Sequence, residues 1–405
     1  MKIVFINSVQ YGSTGNIALQ IAQKAEDEGN ICYVAIPQGR HNKGAVFHNT
    51  IWIGNRLSED FHILLGRLFG NAGRYSYFAT KRFIKKLDEI KPDIIHIHNL
   101  HNSYINIPVL FNYIRKNLIK TVWTLHDCWA FTGHCPYYTM VKCDKWKSRC
   151  DHCPQYREYP QCYVDNSKTQ YIKKKIWFCG LKNLTLVAPS NWMAQQVKQS
   201  FLREYPVNVI NNGIDLSVFK PTKSNFREQY GLQDKYIVLG VSFGWERRKG
   251  MDVLVGLAER LPSDYKIILV GTNDSIDKEL PENIISIHKT QNKSELAEVY
   301  SAADVFVNPT REDNYPTVNM EAIACGTPVI TFRVGGSPEI VGEGCGCTVE
   351  VDDIGGMAES IEKCCIERIY RSEDCRKYAE SFDQDNKFQE YIDLYRRIYD
   401  RPSKS

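Results

Sequence analysis

The stretch from Asn308 to Ile340, NPTREDNYPTVNMEAIACGTPVITFRVGGSPEI, constrains this chain more than any other. The run Asp304-Val-Phe-Val-Asn308 that leads into it is short, apolar and β-branched, which predicts a buried strand. Thr310 to Pro316 is polar and turn-rich, a loop. Pro316 disfavours helix at Tyr315, and Thr317 is expected as an N-cap. Val318 to Cys325 has helical character, and Gly326 is a natural stop. Pro328 to Phe332 is a second buried strand, and Gly335-Gly336 a turn. Such a unit sets a helix N-terminus beside the carboxyl end of a strand, where free backbone N–H groups attract phosphate. Two carboxylates flank the loop: Asp313 on it and Glu321 about one turn into the helix. A carboxylate can accept paired hydrogen bonds from neighbouring sugar hydroxyls, so one site could hold a diphosphate at the helix tip with acids gripping sugars on either side. An ordinary βαβ unit with solvated acids carries the same pattern.

The rest of the chain repeats the alternation. Apolar runs at Lys2–Asn7, Cys32–Pro37, Asp93–Asn99, Thr121–His126, Leu184–Pro189 and Val207–Ile210 are expected as strands separated by helical segments, which argues for a parallel doubly wound sheet. A polar stretch with Pro221 follows Asn211-Asn-Gly-Ile-Asp215. A second series then starts at Tyr236–Phe243 and continues through Lys266–Val270, Ile284–His288, Asp304–Val307 and Pro328–Phe332. The expected division is residues 1–215, with a Cys-rich insertion at 128–162, then 216–382, then a closing helical segment at 383–405. At 405 residues there is room for two domains. A content of 43% hydrophobic and 24% charged residues is that of a soluble globular protein. A net charge of +4 is too mild to argue for nucleic acid. Met1-Lys-Ile-Val-Phe-Ile-Asn reads as a first strand and not as a signal peptide, and no run approaches the length of a transmembrane helix. The expected location is cytoplasmic, in association at most with the inner face of the membrane.

Asp313-Asn-Tyr-Pro-Thr-Val-Asn-Met-Glu321, followed by Ala322-Ile-Ala-Cys-Gly-Thr-Pro-Val329, resembles the nucleotide-sugar site of the retaining glycosyltransferases of family 4, whose pattern is Glu-x7-Glu running into Ala-x-x-x-Gly-x-Pro-Val. The resemblance implies an α/β chain of GT-B fold, two Rossmann-like doubly wound parallel-sheet domains facing a cleft, with a final helix crossing back to the first domain. It implies a hexosyl transfer from a UDP- or GDP-sugar to a glycan or lipid-linked oligosaccharide acceptor, in the manner of capsule and O-antigen enzymes, with no catalytic metal. In the family the first acid contacts the donor sugar and the second the ribose. The first is Asp313 here, one methylene short, and Glu312 beside it could share or take the role. Tyr315, Pro316, Thr317, Val318 and Asn319 fall on the donor side. Two other readings stay open, a GT-B sugar-nucleotide epimerase and a catalytically silent sugar-nucleotide-binding subunit.

Trp245-Glu-Arg-Arg-Lys-Gly250 follows the first strand of the second series. Three cations beside a glycine suit a diphosphate, although a solvated basic turn looks alike. The resemblance carries Lys249 over well. The Arg that many members place five residues earlier falls on Gly244, so its role passes to Arg247 or Arg248. His126, at the end of Val122-Trp-Thr-Leu-His126, matches a family histidine that contacts the donor sugar near the scissile bond. His96, His98 and His101 either contact acceptor or satisfy strand-end backbone groups. Tyr11-Gly-Ser-Thr-Gly15 lies between the first strand and a helix expected from Asn16 to about Glu28. It lets backbone approach a ligand, and Gly12 and Ser13 are expected on the donor side.

Fourteen cysteines are many for a reducing compartment and favour thiols or metal over disulfides. Cys135-x7-Cys143-x6-Cys150-x2-Cys153 lies in an aromatic, basic insertion with little apolar periodicity, which needs a staple. One structural zinc on these four, with His134, His152, Cys128 and Cys162 as alternative ligands, or free and redox-active thiols, both fit. Basic clusters at Lys81-Arg82, Lys85-Lys86, Arg115-Lys116 and Lys173-Lys174-Lys175 are either solvated helix faces or a surface for anionic lipid.

Overall fold

The computed structural model describes residues 1–39 and 42–401. It divides into two compact units, one formed by Met1–Asn211 together with Lys387–Ser405 and the other by Asn212–Asn386. Positions 402–405 of the expected closing segment lie outside the described residues.

The first unit is built on seven parallel strands: β1 (Lys2–Ile6), β2 (Ile31–Pro37), β3 (Thr50–Ile53), β4 (Ile94–Ile97), β5 (Lys120–Thr124), β6 (Leu184–Ala188) and β7 (Val207–Val209). Their order is β3-β2-β1-β4-β5-β6-β7. The second has six: β8 (Tyr236–Val241), β9 (Tyr265–Val270), β10 (Ile284–Ile287), β11 (Val305–Asn308), β12 (Val329–Phe332) and β13 (Gly346–Val349), ordered β10-β9-β8-β11-β12-β13. Runs such as Ile-Val-Phe-Ile in β1 and Ile-Ile-His-Ile in β4 are buried on both faces, as a parallel sheet covered by helices on either side requires. In both sheets the winding direction reverses between the first and fourth strands of the unit, β1 and β4 or β8 and β11. Loops at the carboxyl ends of that pair diverge and leave a crevice.

Every strand expected from the sequence is present, with ends shifted by a few residues. The two sheet edges β3 and β13 went unanticipated. β13 opens on Gly346 at φ +144° and carries no apolar run, whereas β3, Thr50-Ile-Trp-Ile53, is a short apolar and β-branched run that the sequence reading passed over. Two local expectations need correction. The first helix begins at Gly12 and not at Asn16, so the glycine motif forms its opening turn, with Gly12 at φ +67°. Thr317 is the first helical residue and not the N-cap. That position falls to Pro316, which is extended at φ −69°, ψ 116°, because its ring fixes φ and supplies no N–H to lose.

The final helix, Gln384–Tyr399, completes the core of the first unit. Phe388, Tyr391, Ile392 and Tyr395 pack with Ile3, Phe5, Ile94 and Val122. Two hydroxyls tie it down: Tyr395 OH lies 2.6 Å from His96 Nδ1, and Thr124 Oγ1 donates to Tyr391 OH at 3.3 Å.

Candidate functional site

In the second unit the loops after β8 and β11 meet at the switch point. Gly250 closes the basic turn at φ +77°, and a Cβ there would stand 2.2 Å from the Pro309 carbonyl oxygen, so only glycine lets the two loops touch. Three backbone-directed bonds hold them in register: Arg311 N to Arg248 O at 2.8 Å, Arg248 Nη1 to Glu312 O at 3.3 Å, and Thr310 Oγ1 to Arg248 O at 3.5 Å. Across this seam Lys249 Nζ donates to Asp313 Oδ2 at 2.8 Å, with both side chains largely buried. Arg248 is oriented by Glu246, whose Oε1 lies 2.8 Å from Nη2 and accepts from Nε at 3.0 Å, whereas Arg247 stands in solvent. Gly335 backs the far side of the acid loop, where a Cβ would meet the Asp313 carbonyl oxygen at 1.8 Å.

Asp313 and Glu312 point to different places. Asp313 joins the lysine, while Glu312 is 2% exposed and turned into the fold. Successive residues of an extended segment alternate sides, which is the physical reason one of the two acids must be inward.

The helix Thr317–Ala324 presents its first turn at the end of that loop. By position the N–H groups of Thr317 and Val318 have no intrahelical acceptor. Asn319 is fully buried; its N–H bonds Pro316 O at 3.2 Å, and its side-chain oxygen accepts from Asn308 Nδ2 at 2.7 Å. Its side chain therefore braces the helix against β11. Tyr315 is buried in the core of the unit, leaving its backbone and Pro316 at the loop. One turn along, Glu321 Oε2 accepts from Tyr300 OH at 3.1 Å. Desolvation pushes the Glu321 carboxyl up to about 7, against the lowering pull of the Tyr300 hydrogen bond, Lys293 and the Thr317 hydroxyl.

Two contributors escaped the sequence reading. Glu246 sits two positions from the arginine it orients, a signal that could have been used. Arg311 forks onto Asp252 at 2.8 Å through both Nη1 and Nη2 and reaches Asp352 at 2.7 Å. This buried guanidinium fixes the root of the acid loop, and carboxylates so distant in sequence give no local sign of it.

In the first unit the equivalent edge is lined by histidines. His126 Nε2 lies 2.9 Å from His98 Nδ1, and the two rings stack at 5.2 Å. Burial brings His126 down to about 4, which outweighs the raising effect of Asp127, so the ring is neutral near pH 7. His98 is fully buried and its Nε2 has no hydrogen-bond partner. His96 is spent on two side-chain hydroxyls, Thr124 Oγ1 at 2.9 Å and Tyr395 OH at 2.6 Å, and not on the strand-end backbone groups expected for it. His101 Nε2 bonds Asp127 Oδ2 at 2.8 Å, and its Nδ1 lies 2.9 Å from Tyr159 OH, a residue of the Cys-rich insertion. Gly12 and Ser13 are exposed at the opening of the first helix; just past the ends of β1 and β4, Asn7 Oδ1 accepts from Asn99 N at 3.2 Å.

Of the four insertion cysteines, Cys135 and Cys150 are buried and Cys143 and Cys153 half-buried. The Cys135 and Cys153 thiols are hydrogen-bonded, and Cys150 Sγ accepts from Gly133 N at 3.1 Å. The four sulfurs are near one another without forming a closed set of three within 4.8 Å. Among the described residues that condition is met by Asp274, Asp277 and His288, all exposed.

Two parallel doubly wound sheets, with cation and acid loops joined at the switch point of the second, define a glycosyltransferase of the GT-B type. The chain belongs to glycosyltransferase family 4, whose model matches residues 15–218, and the model of the glycosyl transferases group 1 matches residues 234–366. It is 23% identical over 406 residues to the putative colanic acid biosynthesis glycosyl transferase WcaC of Escherichia coli K12, covering 96% of this chain and 97% of that one. Among solved structures it resembles the sucrose-phosphate synthase of Thermosynechococcus elongatus, with a TM-score of 0.74 at 19% identity over 98% of this chain and 99% of that one. It also resembles Anabaena HepE in complex with UDP-glucose, with a TM-score of 0.68 at 16% identity over 98% of this chain and all of the other. No helix among the described residues is long and apolar enough to cross a membrane.

Proposed function

We propose that this glycosyltransferase moves a hexose, with retention, from a UDP- or GDP-sugar to a glycan or lipid-linked acceptor in the assembly of a surface polysaccharide. The observation that carries the reading is the Lys249–Asp313 pair between the two switch-point loops, with Asp313 on the loop that leads into the helix carrying Glu321. Lys249 and Arg248 stand where cations would receive the leaving diphosphate, and the N–H groups of Thr317 and Val318 add a fixed dipole. Asp313 then contacts the donor sugar and Glu321 the ribose. His126, held neutral, offers a hydrogen bond to the sugar without adding charge beside the developing cation. HepE having been crystallised with UDP-glucose favours uridine as the nucleotide, and the resemblance to WcaC favours an exopolysaccharide acceptor.

The same reading gives the Cys-rich insertion a structural zinc on Cys135, Cys143, Cys150 and Cys153. Four thiols in one poorly patterned segment are the donor set that zinc takes. The Gly133 N–H on the Cys150 sulfur is a partner suited to a thiolate. The buried Lys174 ammonium, which lies over the Trp129 ring at 3.5 Å, is a countercharge for the excess negative charge of such a centre.

The deciding experiment incubates the purified chain with a panel of UDP- and GDP-sugars, with and without a lipid-linked oligosaccharide. Acceptor-dependent product with the anomeric configuration of the donor supports the reading. Epimerised donor without acceptor, or nucleotide binding with no turnover, overturns it.

A further inference from the structure

The helix Arg56–Phe69 is inside out. At 3.6 residues per turn, Leu57, Phe61, Leu64 and Leu68 fall within about 60° of one another on a single stripe. All four are exposed, Leu57 at 78% and Phe61 at 59%. The opposite stripe, Glu59, His62 and Gly66, is the one that is buried. An amphipathic helix ordinarily turns its apolar side to the core, because that burial is what stabilises it.

Here polar contacts do the holding. Asn55 and Ser58 close a capping box at the start of the helix. His62 Nδ1 lies 2.8 Å from Ser76 Oγ, and Gly73 N donates to His62 Nε2 at 3.2 Å. At the other end the carbonyls of Arg67 and Phe69 accept from Tyr163 N at 2.9 Å and Asn166 Nδ2 at 3.1 Å. The helix is thus fixed to the first unit by its polar side, and its apolar side is left for another medium.

The following helix, Tyr77–Ile90, begins with exposed Tyr77 and Phe78, the latter at 77%, and continues with exposed cations. From Arg56 to Lys86 the exposed charged residues are Arg56, Arg67, Arg74, Lys81, Arg82, Lys85 and Lys86, all positive, and the exposed acids Asp88 and Glu89 come only in the last turn of the second helix. Glu59 is buried, and Asp60 is half-buried 3.7 Å from Arg56. Leucines and phenylalanines fringed by a run of cations match the chemistry of an interfacial helix on an anionic bilayer. They do not suit a second copy of this chain. A two-fold contact would set the same cations against each other, where repulsion opposes docking.

We propose that the apolar stripe Leu57–Phe61–Leu64–Leu68, flanked by the Tyr77–Ile90 helix with its cations, docks the first unit onto the surface of an anionic phospholipid bilayer. The inference rests on this surface and not on the transfer chemistry, so its failure would leave that reading standing.

The test is flotation of the full chain with phosphatidylcholine vesicles, with and without phosphatidylglycerol. The wild type should partition onto the phosphatidylglycerol vesicles roughly tenfold or more above the neutral ones, and less so in high salt. Leu57→Ser with Phe61→Ser and Leu64→Ser, or separately Lys81→Glu with Lys85→Glu, should each remove roughly tenfold of that binding. Melting temperature and transfer to a water-soluble acceptor should hold, because these side chains already face water. If the serine variant melts early, the lysine variant alone decides. Equal wild-type partitioning on both vesicles, or full binding by the lysine variant, would overturn the proposal. So would a serine variant that keeps its vesicle binding but turns a dimer into a monomer by light scattering.

Discussion

Lys249 Nζ donates to Asp313 Oδ2 at 2.8 Å although the two residues are 64 positions apart. One lies on the turn after β8 and the other on the loop after β11, so the contact exists only because the sheet sets those strands side by side. On the proposed reading, a cation meant for phosphate and an acid meant for sugar hold each other in place before either meets its ligand.

Asp313→Asn should lower kcat by about a hundredfold, near 3 kcal/mol of barrier, while the affinity for UDP or GDP stays within about threefold, since that acid touches sugar and not nucleotide. Glu312→Gln should mainly lower the melting temperature, because its side chain is packed inward. Steady-state kinetics and calorimetry on the two variants separate the cases. Loss of transfer in Glu312→Gln alone would move the assignment by one residue.

Glu321→Ala should weaken nucleoside diphosphate binding by about 1–3 kcal/mol, the cost of a lost charged hydrogen bond. Because the folded carboxyl is raised to about 7 from an ordinary 4.5, it is protonated at pH 6 and ionised at pH 8. Nucleotide affinity should therefore rise across that interval in the wild type and stay flat in Glu321→Gln. Stability runs the other way. A carboxyl with a raised folded pKa favours the native state most when protonated, and that stability is lost as pH climbs from 4.5 through 7. Glu321→Gln should accordingly melt above the wild type at pH 8 and level with it near pH 4. Parallel pH curves for both proteins would remove the residue from the site.

Arg311→Leu should cost about 2–3 kcal/mol, because it leaves Asp252 and Asp352 without their shared cation and frees the root of the acid loop. Denaturant unfolding measures the loss. Transfer should fall further than stability explains, since the loop that carries Asp313 is then no longer held to the 247–250 turn.

Protein purified without chelator should carry about one zinc per chain by elemental analysis, and Cys150→Ser should lose most of it along with the order of the 128–162 segment. Absence of metal, with all four thiols reactive in the native state, would return the insertion to plain thiol chemistry.

Much of this architecture is legible in the chain. Uninterrupted apolar runs mark parallel strands, and the loop–helix from Thr310 to Cys325 announces itself through Pro316, Gly326 and the spacing of its acids. Contacts that close only in three dimensions are not legible. Arg311 finds its acids 59 and 41 positions away, and no period in the sequence connects them. The helix Arg56–Phe69 fails for a subtler reason. Its residues carry a readable apolar period, but a period gives the stripe and not its direction, and only polar anchors from Ser76, Gly73 and Asn166 turn it outward. Asn16 was a reasonable helix start by residue preference, and the glycine at position 12 overrode it by supplying a backbone that other residues avoid.

The Gln384–Tyr399 helix has a consequence for how the molecule is made. All seven strands of the first sheet have been translated by Val209, yet Phe388, Tyr391 and Tyr395 must still arrive to cover Ile3, Phe5 and Val122. A nascent chain therefore carries a half-roofed sheet while the entire Asn212–Asn386 unit is being synthesised. The part of the protein translated first is the part finished last, and a premature stop that spares every strand would still leave it open.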